Sequence, residues 1–256
     1  MSPFYFGTGQ RRLFGLYTPG IGGGARARAA VLCYPWGQEY LRAHRTMKML
    51  ASMLTAKGIH VLRFDYFGTG DSTGDMTEAD VPGWEHDIET AIEEIRDTTD
   101  ARQVALVGMR LGATLAARVA ARPANGVDAL VLWDPVVSGH AYMQELLGRS
   151  GHVANRSPDV GGGYEVLGFP LTAAMLAEFE SLDLVSLVSA LPARTLVVTS
   201  GELPSHGHLA EALAKRAAMP IAIESILSQA PWVKPRGAGD GTVPVPVLQR
   251  IAEWLA

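Results

Sequence analysis

Val104-Ala105-Leu106-Val107-Gly108-Met109-Arg110-Leu111-Gly112-Ala113-Thr114-Leu115-Ala116-Ala117 is the stretch whose reading decides the fold. It begins as a short apolar strand, ends as an alanine-rich helix, and carries Arg110 between two flanking glycines at the turn. Glycines belong there because a strand-to-helix turn this tight leaves no room for side chains beside the central residue. Outward from this stretch the rhythm repeats. Ala29–Cys33, Val61–Phe64, Ala129–Trp133, Leu196–Val198 and Ile221–Ile226 are further apolar runs. Near-continuous rather than alternating runs imply a parallel sheet covered on both faces. Between them, Met47, Leu50, Ala51 and Leu54 recur at helical spacing, as do Ile88, Ala91, Ile92 and Ile95, and Gly58 sits where a C-cap is expected. The fold class is α/β, with a doubly wound, mostly parallel sheet.

Two regions break the rhythm. Residues 11–34 read as an antiparallel hairpin in which Leu13–Thr18 turns through Pro19–Gly24 into Ala29–Cys33. Residues 138–190 show no strand–helix pair; Gly151–Gly168 is rich in glycine, serine and asparagine, and a helix is expected from about Leu171 to Leu182. We read 138–190 as a lid inserted into a single domain spanning 1–256, because it lacks the apolar residues for a core of its own.

Composition narrows the function classes. Apolar residues make up 48% and charged residues 19%, enough for a substantial core. A net charge of −4 argues against nucleic acid or an anionic membrane surface as partner. No apolar run approaches the roughly 20 residues of a membrane span, and residues 1–10 lack the design of a secretory signal. The lone Cys33 suits a reducing compartment, so a cytoplasmic protein is expected. No histidine or carboxylate pair has metal-ligand spacing, and neither metal nor cofactor is expected.

Four segments carry a family resemblance: Cys33-Tyr34-Pro35-Trp36-Gly37-Gln38-Glu39, Arg63-Phe64-Asp65-Tyr66-Phe67-Gly68-Thr69-Gly70-Asp71-Ser72, the Arg110 turn, and Leu132-Trp133-Asp134-Pro135-Val136. Over nearly its whole length the chain resembles the α/β-hydrolase superfamily, within the serine-aminopeptidase-like group. More narrowly it resembles the second type of exosortase-A-system-associated hydrolase, whose elbow also tends to read Gly-x-Arg-x-Gly. The resemblance implies the α/β-hydrolase fold, with an antiparallel N-terminal hairpin and a small lid, and places Arg110 where the superfamily carries its nucleophilic serine.

The resemblance also says where the remaining machinery should be. Tyr34-Pro35 stands where the group usually has His-Gly. Oxyanion-hole N–H groups would lie near Trp36 and at Leu111. The acid of a triad would follow the strand ending near Ser200, at Gly201-Glu202, or less commonly sit at Asp134. The histidine should lie within Ser228–Val245, a segment that contains none; its polar side chains include Lys234, Arg236 and Asp240. Nucleophile and base are both absent, since a guanidinium stays protonated and has no free lone pair with which to attack a carbonyl.

Substitutes are few. Cys33 lies inside a buried strand and reads as a small hydrophobe, and Ser72 reads as a loop cap. His206 and His208 are expected in a solvated loop and helical first turn, His140 and His152 in the lid, and His60 and His86 at the periphery. His44, beside Arg45, opens the helix after the Trp36 loop and can face the pocket. Arg110, Glu39, Asp71 and Asp134 all fall at or just after strand carboxyl ends, where an open α/β sheet has its ligand crevice. Arg110 then either forms a buried ion pair with Asp134 or Glu39, or grips a substrate carboxylate, phosphate or enolate beside the two N–H groups. The two readings are compatible.

Three functions follow from different classes. In the first, an atypical enzyme acts on an acyl or ester-like small molecule through Arg110 and backbone electrostatics, by hydrolysis, elimination or cyclisation. Glu39, Asp134 or His44 would be its base, and Trp36, Leu111 and Asp71 would bind substrate. In the second, a non-catalytic relative binds an acyl or carrier-bound ligand. In the third, an ordinary esterase uses a nucleophile not yet identified. The expected partner is a small acyl or carboxylate ligand, and a homodimer is compatible with the sequence. Because no serine–histidine pair is legible, a fluorophosphonate probe is expected to leave every serine unlabelled. Stoichiometric labelling, located by mass spectrometry, would select the ordinary esterase.

Overall fold

The structure, a computed structural model, describes residues 1–22, 27–150, 155–156, 163–201, 204–216, 221–232 and 243–256. The chain opens with β1 (Ser2–Thr8), β2 (Arg11–Thr18), β3 (Arg28–Cys33), α1 (Gln38–Ala56), β4 (Ile59–Phe64) and α2 (Val81–Thr99). It continues with β5 (Gln103–Met109), α3 (Leu111–Ala120) and β6 (Ala129–Trp133). After α4 (Gly139–Ser150) come the short strands β7 (Asn155–Arg156), β8 (Tyr164–Val166) and β9 (Phe169–Leu171), then α5 (Ala173–Glu180). The last elements are β10 (Thr195–Thr199), α6 (Pro204–Ala214), β11 (Ala222–Ser225) and α7 (Val245–Leu255).

Eight strands form one sheet in the order β1-β2-β4-β3-β5-β6-β10-β11, parallel from β4 onward. Every residue of β6 and β10 is buried, which is why those runs show no polar alternation. The apolar stripe of α1 (Met47, Leu50, Ala51, Leu54) and that of α2 (Ile88, Ala91, Ile92, Ile95) are buried as their spacing requires. α2 starts cleanly because Asp80 accepts from the Gly83 N–H at 2.6 Å and Pro82 occupies its first turn. Among the described residues, no helix is long and apolar enough to cross a membrane.

The antiparallel N-terminal hairpin is present, but its strands differ from those expected. β2 pairs with β1, Ser2 opposite Tyr17 through Thr8 opposite Arg11, and with β4 on its other side. It does not pair with β3, which lies between β4 and β5. The β3–α1–β4 crossover lays β4 against β3 and so occupies the edge that β2 would have needed. The turn that sends β1 into β2 uses Gly7 (φ 83°) and Gly9 (φ 60°).

Residues 138–190 are also more ordered than expected. Between α4 and α5 the strands β7, β8 and β9 form a small antiparallel sheet. Strands this short carry too little periodicity to be read. Much of the glycine-rich stretch 151–162 lies outside the described residues, and the expected helix is α5.

The β5–α3 turn is where backbone crowding is most severe. A Cβ on Gly112 would run into the carbonyl oxygens of Cys33 and Tyr34, and one on Gly108 into the backbone of Gly112 and Ala113. Gly112→Ala must push α3 away from the end of β3, and is expected to lower stability by about 1–3 kcal/mol in urea unfolding. An unchanged midpoint would show that the turn has slack.

Candidate functional site

Arg110 is the N-cap of α3, with φ 54° and ψ −122°. Such a conformation is strained for a bulky residue and persists only where its surroundings impose it. Here the Arg110 N–H donates to the Trp133 carbonyl at 2.9 Å, and the Arg110 carbonyl accepts from Ala113 at 3.0 Å and Val136 at 3.3 Å. The side chain is just as confined, with 2% of the residue exposed.

Its guanidinium is neutralised twice. Nε donates to Glu39 Oε1 of α1 at 3.1 Å, and Nη2 donates to Glu145 Oε2 of α4 at 2.8 Å. The Tyr142 hydroxyl donates to the other Glu39 oxygen at 3.1 Å and so fixes that carboxylate. The rings of Tyr142 and Trp232 lie 5.4 and 5.3 Å from the guanidinium carbon. Burial acts to weaken the arginine's hold on its proton, but Glu39 and Glu145 outweigh it and raise the pKa above its ordinary value. Of the ion pairs expected for Arg110, Glu39 makes one and Asp134 and Asp71 do not. Glu145 was not foreseen, because nothing in the sequence marked α4 as a helix facing the elbow; the buried Tyr142, Met143 and Leu146 are the faint helical signal.

Asp134 sits at the end of β6, buried, and both its oxygens accept from the Ser200 N–H, at 2.9 and 3.0 Å. Beside it is His206, in the first turn of α6, with Nε2 4.0 Å from Asp134 Oδ1 and only 10% of its side chain exposed. This corrects the expectation of a solvated loop histidine. The other polar neighbour of His206 is the Gly201 backbone. Burial lowers the pKa of His206, with the Asp134 charge opposing, and burial raises that of Asp134. The signal available in the sequence was that β6 and β10 both end here, but using it requires knowing that the two strands are neighbours.

Trp36 and Leu111 line a cavity of about 120 Å³, with Tyr66, Trp84, Leu115 and Phe169 among its walls. Arg110 is not one of the lining residues, and none of those that line it is charged. Phe169 of β9 and Phe179 of α5 stack edge-on against Trp36, at 6.1 and 5.5 Å between ring centres. In the walls, Trp36 has a buried Nε1 with no hydrogen-bond partner among the described residues, while the Tyr66 hydroxyl is turned to the Cys33 thiol.

His44 and Asp71 do not join this group. They line a second cavity with Arg63 and Asp65, and the Tyr34 and Tyr40 side chains border both cavities. The other candidates are accounted for by structure. Burial pushes the Cys33 thiol up to about 12, leaving no useful thiolate. Ser72 caps its loop, donating to the Asp65 carbonyl at 2.5 Å and accepting from the Phe14 N–H at 2.8 Å. Glu202, Lys234, Arg236, Asp240 and His152 lie outside the described residues. Among the described residues no three histidine, cysteine or carboxylate side chains gather as a metal site.

The sequence model of the family described as serine aminopeptidase, S33, matches residues 27–160. The chain belongs to this family. No curated protein matches it. Solved structures agree on the fold. A serine hydrolase of Xanthomonas campestris described as having no lid superposes with TM-score 0.62 at 16% identity, covering 99% of this chain and 91% of its own. The proline iminopeptidase of Mycobacterium smegmatis gives 0.67 at 12% identity, covering 99% and 97%. The ferulic acid complex of Est1E from Butyrivibrio proteoclasticus gives 0.64 at 12% identity, covering 98% and 96%. Within this α/β-hydrolase family, the chain carries an ion-paired arginine at its elbow.

The two carboxylates on Arg110 are unequal. Glu39 is buried with it, whereas the Glu145 side chain is 31% exposed. Glu39→Gln is therefore expected to cost about 3 kcal/mol or more of unfolding free energy. Glu145→Gln is expected to cost about 1 kcal/mol or less, because solvent screens that pair. Equal losses in urea titrations would mean that the guanidinium is not sealed from the Glu39 side.

Proposed function

We propose that this protein binds an uncharged acyl group, presented as an ester, thioester or amide, in the cavity between Trp36 and Leu111, and does not cleave it by the serine route. The observation that carries the reading is the unpartnered Trp36 indole N–H in a largely apolar, uncharged wall. Buried polar atoms are nearly always hydrogen-bonded, so the unpartnered Trp36 Nε1 supports an acceptor oxygen held beside the Trp36 ring. The Leu111 N–H, at the start of α3, would be a second donor. Apolar walls would hold the chain or ring of the acyl group, and the lack of any charged lining residue favours a carbonyl over a free carboxylate. Arg110 supports the same reading from the other side. Its charge is committed to Glu39 and Glu145, so its part is to fill and brace the elbow.

On this reading residues 138–190 act as the lid of a single domain, since Phe169 and Phe179 cover Trp36. The Gly-Met-Arg-Leu-Gly elbow favours a place among the exosortase-A-system-associated hydrolases of the second type. The lone Cys33 favours the cytoplasm. A second reading, in which a bound acyl ester is turned over by activated water, is favoured by one observation. His206 and Asp134 stand together within reach of the elbow, with the imidazole held neutral by burial and so free to accept a proton.

Calorimetric titration with N-methyl octanamide separates these readings. The wild-type protein is expected to bind one equivalent, and Leu115→Trp to abolish binding by filling the cavity. Trp36→Phe, which keeps an aromatic side chain but loses the pyrrole half of the indole with its N–H, is expected to weaken it by about fivefold to tenfold. Undiminished binding by Leu115→Trp would remove the acyl site. With p-nitrophenyl hexanoate no turnover above background is expected; turnover that disappears in His206→Gln would establish the second reading instead.

A further inference from the structure

The second cavity, about 150 Å³, contains an arginine with no carboxylate at ion-pair distance among the described residues. Arg63 of β4 is 2% exposed. Its Nη1 donates to the Tyr34 hydroxyl at 3.1 Å and its Nη2 to the Met1 thioether at 3.4 Å, while Nε has no partner among the described residues. Neither partner is an anion, and a thioether is a weak acceptor. The contrast with Arg110 is sharp, since that equally buried guanidinium holds two carboxylates. An uncompensated buried charge is among the costliest features a fold can keep, and a guanidinium is shaped to take a carboxylate through two parallel hydrogen bonds.

The rest of the cavity says what else the ligand carries. Burial, with the Arg63 charge next, lowers the pKa of His44, so the imidazole adds no second cation. Asp65 and Asp71 supply two carboxylates to the same space. Asp65 is held in place by the Tyr40 hydroxyl at 2.7 Å and the Asp71 N–H at 3.0 Å. The exposed Asp71 carboxylate has no hydrogen bond or ion pair among the described residues. One cation facing two carboxylates repels a phosphate dianion and leaves a simple monoanion short of a match. A molecule with one carboxylate and one ammonium satisfies both ends. Phe14, Leu16 and Phe64 complete the walls and suit an apolar side chain.

We propose that this cavity is a binding site, separate from the acyl site, for a small zwitterion of the α-amino-acid type with an apolar side chain. Its carboxylate displaces the Met1 thioether on Arg63 and its ammonium faces Asp65 and Asp71. The proposal does not depend on what the first cavity binds.

Calorimetric titration of the full chain tests it with three probes sharing one ring: L-phenylalanine, 3-phenylpropanoate without the ammonium, and phenethylamine without the carboxylate. L-Phenylalanine is expected to bind one equivalent at millimolar concentration or below, and each truncated probe about tenfold or more weaker. Arg63→Gln is expected to abolish binding of L-phenylalanine. Asp71→Asn, at an exposed position where folding is not at stake, is expected to weaken L-phenylalanine severalfold while leaving 3-phenylpropanoate unchanged. Should Arg63→Gln fail to fold by circular dichroism, Asp71→Asn and the truncated probes decide the matter. No binding of L-phenylalanine, or equal binding of all three probes that Asp71→Asn leaves unaltered, overturns the proposal.

Discussion

A guanidinium buried at the carboxyl edge of a sheet must meet opposite charge, and in this protein that requirement organises the surroundings of the elbow. Arg110 cannot be moved outward, because its backbone is tied to Trp133 and Val136 and its neighbours Gly108 and Gly112 are pressed against other backbone. Counter-charge therefore has to come to it. Glu39 arrives from α1 and Glu145 from α4, and Tyr142 both orients Glu39 and shields the guanidinium. The segment that supplies Glu145 continues into β9 and α5, whose Phe169 and Phe179 close over Trp36. One buried charge thus helps to position the cover of a cavity that it does not line.

The two cavities divide the chemistry that the sequence had seemed to offer to one site. The residues lining the cavity at Trp36 and Leu111 are all uncharged, and the donor left unmet there is the Trp36 N–H. Around Arg63 the unmet demand is for charge. The aromatic pair Tyr34–Tyr40, with ring centres 5.3 Å apart, stands between them. Tyr34 occupies the place of the histidine that usually opens this loop in the superfamily, and its hydroxyl is turned to Arg63. The Tyr34-Pro35 pair is therefore linked to the second cavity through the Tyr34 hydroxyl.

The sheet was legible because buried parallel strands leave unbroken apolar runs, and β6 is read to the residue. Helices α1 and α2 were legible from one-sided burial. The pairing of β2 was not, because which edge a strand finds depends on the crossover that follows it. The small sheet β7-β8-β9 is too short to leave a pattern. At the site, Glu39 could be foreseen because it follows the end of β3 in a recognisable motif. Glu145 could not, since it reaches the site from an element placed there by tertiary packing, and His206, a candidate from its position after a strand, could not be tied to Asp134 for the same reason. Asp71 was read just after a strand end and His44 at the opening of α1, where it lies in the second turn, yet the tyrosine wall sends both to a different space.

The unequal exposure of the two Arg110 partners also makes the network a clasp with two different strengths. The Arg110–Glu39 half is shut away from ions, while the Arg110–Glu145 half borders solvent and lies within reach of the salt atmosphere. Rising ionic strength therefore loosens the hold on α4 and spares the hold on α1. The segment covering Trp36 is fastened from its outer side by an attachment that salt can weaken, over an elbow whose inner attachment it cannot.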